Sequence, residues 1–317
     1  MAKKLWLVTG GAGFIGSNIV EELLSRKEKV RILDNFSTGK MEHIEEFKGR
    51  IEIVRGDIRN PSDIKRAMKG VSYVLHQAAL RSVPKSVDNP TGTNEVNVTG
   101  TLNVLIGAKE AGVKRLVYAS SSSAYGDNKV FPQKETLRPS PISPYAVSKL
   151  AAENYCVMFS KTYGLETVAL RYFNVFGPKQ DPESMYSAVI PKFIELAALR
   201  KPLIVHWDGK QSRDFTYVKN VADVNILAAL SPVSAGKVYN VAVGNTISLL
   251  QIAGMLEELC GYGLKKTFTP KRKGDIRKTW ADVSLMKRDL KYKPRVLFRE
   301  GLENTWKWFR LSAKGGK

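Results

Sequence analysis

Short apolar runs of strand length alternate with stretches in which apolar residues return at helical spacing, from the first residues to about the middle of the chain. Leu5-Trp6-Leu7-Val8-Thr9 is such a run. After a glycine turn, Ile15, Ile19 and Leu23 mark one face of a helix. Residues 29–33 read as a second strand ending at Asp34, and residues 51–58 as a third, ending in a turn. Pro61-Ser62-Asp63 opens a helix, since proline suits a first helical turn. Residues 71–79 form a fourth strand with small residues at its end, followed by a loop over 81–86. A long helix over 93–110, a fifth strand over 115–120, a loop marked by Pro132, Pro139, Pro141 and Pro144, a helix over 145–163 and a sixth strand over 167–173 complete the pattern. Strands and helices alternating in this way predict an α/β fold around a doubly wound parallel sheet.

Beyond Gly177-Pro178 the alternation loosens. Helices are expected over 186–200, 216–230, 249–260 and 282–290, a short edge strand over 206–208, a strand over 237–243, and a disordered tail over 311–317. The division that follows is a dinucleotide-binding unit over 1–175, completed by about 215–245. A smaller C-terminal substrate-binding lobe is expected from 176–214 and 246–317.

The first turn, Gly10-Gly11-Ala12-Gly13-Phe14-Ile15-Gly16, lies between a strand and a helix, the context that a dinucleotide site needs. Gly10 permits the tight turn, Gly13 lets the backbone approach a pyrophosphate, and Gly16 lets the helix pack close to the strand, as in a Rossmann-type sheet. The amides at the helix start then face the phosphates. Asp34, eighteen residues after Gly16, offers a carboxylate to a ribose 2′-hydroxyl and would repel a 2′-phosphate, which selects NAD over NADP. The expected cofactor shell adds Phe14 and Ile15 of the turn, and Asn35, Ser37 and Gly39 around the adenosine. Asp57 and Ile58 at the end of the third strand, Gln77, Ala78 and Ala79 at the end of the fourth, and Asn97 in the long helix belong to it, as do Tyr145, Tyr172 and Lys149, the last on the ribose hydroxyls. Spacing alone leaves Asp57 either as a contact to the adenine amino group or as a turn residue before Asn60-Pro61.

Composition narrows the class without changing it. With 43% apolar and 25% charged residues the 317-residue chain has the make-up of a soluble globule, no apolar run approaches eighteen residues, and a cytoplasmic protein without membrane contact is expected. Cys156 and Cys260 suit core thiols in a reducing compartment. His43, His76 and His206 lack ligand spacing, so no metal site is expected. The net charge of +20 is spread along the chain without a nucleic-acid-binding motif, so it reads as a solvated basic surface that attracts anionic nucleotides rather than nucleic acid.

Tyr145 and Lys149 stand four apart at a helix start and share one face. For a tyrosine to act as a base near neutrality its pKa must fall from ~10 to about 7, roughly 4 kcal/mol. Lys149 and an oxidised nicotinamide are the two cations expected to supply this. Ser120-Ser121-Ser122-Ser123 ends the fifth strand at the ligand edge and brings several hydroxyls to the same place.

The glycine turn, the serine strand end, Tyr145-x-x-x-Lys149 and Arg171-Tyr172-Phe173-Asn174 together closely resemble the extended short-chain dehydrogenase/reductase family, and within it the UDP-hexose 4-epimerases. The resemblance runs from Leu5 to about Lys293. It implies Ser121 as the catalytic serine, Tyr145 as the base and Lys149 as its partner. It further implies Tyr172 beside the nicotinamide, with Asn174, Arg213, Arg272 and Asp275 on the diphosphate and uridine ribose. Related dehydratases carry an Asp-Glu pair where this chain has Ser122 and Ser123, and related decarboxylases a Glu at the second, so reversal of a hydride step is implied instead of elimination. Thr279 falls beside C2 of the sugar and leaves room for an acetamido group, implying UDP-GlcNAc/UDP-GalNAc as well as UDP-glucose/UDP-galactose. Arg81 and Ser82 fall beside the hexose. Arg81 replaces a glycine typical of the relatives that work on UDP-N-acetylhexosamines, and either favours an acidic sugar or helps neutralise phosphate. A UDP-glucuronate 4-epimerase or decarboxylase is the alternative. The long helices over 93–110 and 145–163 are those through which the family forms homodimers; Leu102, Ile106, Leu150 and Val157 on them serve either that contact or the core.

Overall fold

The computed structural model describes residues 4–181, 189–271 and 276–314. Seven strands pair in parallel: β1 (Leu5–Thr9), β2 (Lys29–Asp34), β3 (Ile51–Arg55), β4 (Tyr73–His76), β5 (Arg115–Ser121), β6 (Glu166–Tyr172) and β7 (Lys237–Val241). Their order across the sheet is β7-β6-β5-β4-β1-β2-β3. The progression therefore reverses between β1 and β4, and a crevice opens at the carboxyl ends of those strands. Successive side chains of β1 face opposite ways: Trp6 and Val8 enter one core, Leu7 the other. Both faces of the sheet are covered, which is why its strands are apolar nearly throughout.

Helices α1 (Phe14–Ser25), α2 (Pro61–Met68), α3 (Val83–Asp88), α4 (Gly100–Glu110) and α5 (Pro144–Thr162) belong to the first part of the chain. They are followed by α6 (Val189–Ala198), α7 (Val218–Leu230), α8 (Leu249–Cys260), α9 (Ser284–Leu290) and α10 (Phe298–Lys314). Ile19 of α1 and Val221 of α7 pack on one face of the sheet, and Ile64 of α2, Val104 of α4 and Cys156 of α5 on the other. A third core joins Phe193, Ile252 and Leu302 of α6, α8 and α10 to Phe176 and Phe215. Short pairings form two further small sheets: Val175–Phe176 with Thr216–Tyr217, and Ser212–Arg213 between Ile247–Ser248 and Lys278–Thr279.

Several expectations are corrected. The loop expected over 81–86 contains α3, because the Ser82 hydroxyl accepts the Lys85 N–H (3.3 Å) and Pro84 fits the first turn. The third strand stops at Arg55, where the Asp63 carboxylate accepts the Asp57 N–H (3.0 Å) and fixes a turn. Helical turns begin at Pro90, ahead of 93, and pass through a wide turn at Glu95–Thr99 before α4. The edge strand is Leu203–His206, paired with Lys266–Thr269, and Thr216–Tyr217 is extended before α7 begins. Leu311 to Lys314 continue α10 instead of forming a loose tail; Phe298, Leu302, Trp306 and Phe309 anchor that helix in the third core.

Candidate functional site

Local chemistry builds the floor of the crevice. Gly10 has φ +67°, and a Cβ there would lie 2.8 Å from the Ala78 nitrogen, so the turn and the end of β4 are in backbone contact. A Cβ on Gly16 would lie 2.1 Å from the Gly10 carbonyl oxygen. Gly13 precedes α1 without a side-chain cap, which leaves the first-turn N–H groups available to an anion. The Asp34 carboxylate accepts N–H groups of Ala12 (2.9 Å) and Phe36 (2.8 Å), and Gly39 packs on it so closely that a Cβ would lie 2.9 Å from its oxygens. Asn35 receives the Ser37 N–H (3.0 Å) and donates to Asp57 (2.9 Å). Arg59 holds the Asp57 carboxyl well below the usual carboxylate range. Turn, strand end and acidic side chain thus form a preorganised cradle of the kind a dinucleotide fits.

A cavity of about 390 Å³ opens beside this cradle. Phe14 and Ile15 line it from the turn, Arg81 from the segment after β4, Ser121, Ser122 and Ser123 from the end of β5, and Tyr145 from α5. Tyr172, Asn174, Arg213 and Thr279 close the other walls. Ser143 caps α5 by accepting the Ala146 N–H (3.2 Å), and the Ser86 hydroxyl accepts the Tyr145 N–H (3.0 Å), which fixes Tyr145 at the helix start. Ser121 accepts both the backbone N–H (3.1 Å) and the hydroxyl (2.9 Å) of Ser123, and its side chain acts on the Tyr145 phenol to lower its pKa.

Electrostatics correct one expectation. Burial pushes the Tyr145 phenol above its ordinary pKa; the Ser121 hydrogen bond and the charge of Arg81 oppose that push. Lys149 does not supply the lowering expected of it. Its ammonium donates to the Ala119 carbonyl (2.7 Å) inside the protein, and burial brings its own pKa down to about 7. Desolvation outweighs the attraction of neighbouring groups at both residues.

The remaining predicted residues take varied places. The Tyr172 hydroxyl accepts from the Asn225 amide (2.7 Å) and donates to Gln77 (3.2 Å). Asn174, at φ +35°, donates to Thr279 Oγ1 (2.9 Å) and the Asp214 carbonyl (3.0 Å). Ala78 donates its N–H to Thr9 (3.2 Å), and Ala79 is half-buried beside it. Asn97 is buried and clamps both backbone groups of Leu80 (2.8 and 2.9 Å) while donating to Ser148 (3.0 Å), so it braces the segment between Ala79 and Arg81. The Ile58 side chain lies in the second core, and Ser82 caps α3 outside the cavity. Arg272 and Asp275 lie outside the described residues. Gln133 and Gln180 also line the cavity and were missed. Gln180 sits in the Gly177-Pro178 turn region, which signalled it weakly; Gln133 reaches the site through a bridge to Ala281 that no local pattern announces. Among the described residues no helix is long and apolar enough to span a membrane, and no group of three or more His, Cys, Asp or Glu side chains is arranged to hold a metal.

Residues 6–242 match the model of the NAD dependent epimerase/dehydratase family. The chain is 35% identical over 306 residues to a putative UDP-glucose 4-epimerase of Methanocaldococcus jannaschii, covering 96% of this chain and 98% of that one. It is 37% identical to a UDP-glucuronate 4-epimerase of Thermodesulfobacterium geofontis, covering 96% and 95%. The solved UDP-N-acetylglucosamine 4-epimerase of Methanobrevibacter ruminantium M1, in complex with UDP-N-acetylmuramic acid, superposes with TM-score 0.93 at 40% identity over 98% of this chain and 100% of that one.

Proposed function

The chain belongs to the NAD dependent epimerase/dehydratase family, and from that premise we propose that it is an NAD-dependent 4-epimerase of UDP-sugars, acting on the N-acetylhexosamine and hexose pairs through a 4-keto intermediate. NAD would be held by the cradle of Gly10, Gly13, Gly16 and Asp34, with Gln77 and Tyr172 toward the cavity, and when bound would supply the hydride acceptor and donor for C4. Tyr145 removes the proton of the sugar 4-hydroxyl and restores it, and Ser121 shares that proton through its bond to the phenol. Lys149, buried below with a pKa near neutrality, ties α5 to the end of β5 through its bond to the Ala119 carbonyl. Asn174 and Arg213 anchor the diphosphate, on which the keto sugar turns to present its other face. No Asp or Glu is among the described residues lining the cavity, so elimination of water from the keto sugar lacks an acid and a base. Thr279 keeps its wall small, which admits an acetamido group at C2.

The carrying observation is that Tyr145 and Ser121 share one cavity with Phe14 and Ile15 of the glycine turn and with Asn174 and Arg213. The test is Tyr145→Phe with both sugar pairs as substrates. Interconversion is expected to fall about 10²- to 10⁴-fold, with NAD content and UDP-sugar affinity retained; undiminished turnover overturns the reading. Val83 and Val87 of α3, Ile106 of α4 and Val147 of α5 are exposed, and a second copy is proposed to pack on these helices as a homodimer. Both cysteines are free thiols, which suits the cytoplasm.

A further inference from the structure

Arg81 differs from every other charged group of the cavity. It follows β4 on an exposed segment, lines the cavity, and makes no ion pair or hydrogen bond with any described residue. The described walls around it are hydroxyls, amides and apolar groups, without a carboxylate. Its charge falls on the Tyr145 phenol. Arg213, the second cation of the cavity, belongs instead to the wall of Thr279, with which it pairs in register. The two guanidinium groups therefore come from different segments of the wall, Arg81 after β4 and Arg213 from the strand paired with Lys278–Thr279. A residue that only neutralised the diphosphate would stand with Asn174 and Arg213.

Resting on the reading that Tyr145 meets the sugar 4-hydroxyl, we propose that Arg81 is a specificity-determining residue that binds a carboxylate carried on the pyranose next to C4. The neighbours of C4 are C3 and C5, so the acid is either the C6 carboxylate of a hexuronate or an acid joined by an ether at O3. A planar guanidinium accepts such a group in two parallel charge-assisted hydrogen bonds. A sugar without an acid leaves the exposed cation in water at little cost.

Two matched ligand pairs separate these sources. UDP-glucuronate differs from UDP-glucose at C6 alone, and UDP-N-acetylmuramate differs from UDP-N-acetylglucosamine by the lactyl ether at O3 alone. Dissociation constants are measured by calorimetry on the NAD-loaded protein, for the wild type, Arg81→Gln and Arg81→Lys. In at least one pair the acid-to-neutral affinity ratio is expected to fall on the order of 10- to 100-fold in Arg81→Gln; Arg81→Lys, which keeps the charge and loses the fork, falls between. The pair that responds names the position of the carboxylate. Ratios equal to the wild type in both pairs overturn the proposal, and a parallel loss for acid and neutral sugars then assigns Arg81 to the diphosphate. Failure of the 4-epimerase reading shows separately, as absence of interconversion of all four sugars by the NAD-loaded wild type, and the affinity ratios still decide the role of Arg81.

Discussion

Arg171 on β6 and Glu153 on α5 form a buried ion pair directly behind the site, and breaking it exposes how the reactive serines are held. The side chains are 5% and 2% exposed. Arg171 reaches both carboxylate oxygens, at 2.6 and 3.0 Å, and Glu153 also accepts the Ser120 hydroxyl at 2.6 Å. The guanidinium lies 4.7 Å over the Tyr125 ring. Arg171→Met leaves a carboxylate in the interior with only Ser120 as a partner, at an expected cost of about 3–5 kcal/mol. Glu153→Leu strands the guanidinium in the same way. The double replacement removes both charges together and is expected to cost no more than about 1–2 kcal/mol, since an apolar pair of similar volume often replaces a buried ion pair without loss. For 317 residues the unfolding entropy is roughly 0.7 kcal/mol/K, so each single variant should melt about 6 °C lower and the double variant within a few degrees of the wild type. Thermal and urea unfolding of the four proteins at pH 7 and equal NAD saturation measure the cycle. Single costs below about 1 kcal/mol, or a double variant as unstable as the sum of the singles, refute the reasoning.

Two further outcomes follow from the site. The folded pKa of Lys149 is about 7 against 10.5 in the ordinary state, so between those values the unfolded chain holds the extra proton and stability rises with pH, by up to about 5 kcal/mol in all. Lys149→Met should therefore melt above the wild type at pH 7, by a margin that closes toward pH 10.5, while turnover collapses; identical pH dependence of the two melting curves counts against the buried charge. Thr279→Tyr fills the wall now occupied by a hydroxyl bonded to Asn174 (2.9 Å), and the kcat/KM ratio of UDP-GlcNAc to UDP-glucose should fall about 5- to 100-fold. An unchanged ratio removes Thr279 from the acetamido pocket.

What the sequence determined by itself is the part whose physics is local. Alternating runs and helical spacing place β1 to β6 and the glycine turn, because strand and helix periods and a left-handed glycine depend on neighbouring residues alone. Tyr145 and Lys149 share a face for the same reason. The periodicity of Phe298, Leu302, Trp306 and Phe309 carries α10 in the same local way. Two-residue strands such as Ser212–Arg213 and Lys278–Thr279 have no period to read, and they form because remote segments meet. Only the tertiary structure joins Asn174 to Thr279 across 105 positions, turns Asn97 onto Leu80, and seats Gln133 against Ala281. It also decides protonation: the cost of removing Tyr145 and Lys149 from water depends on how many other groups surround them, a quantity set by packing from the whole chain and absent from any stretch of it.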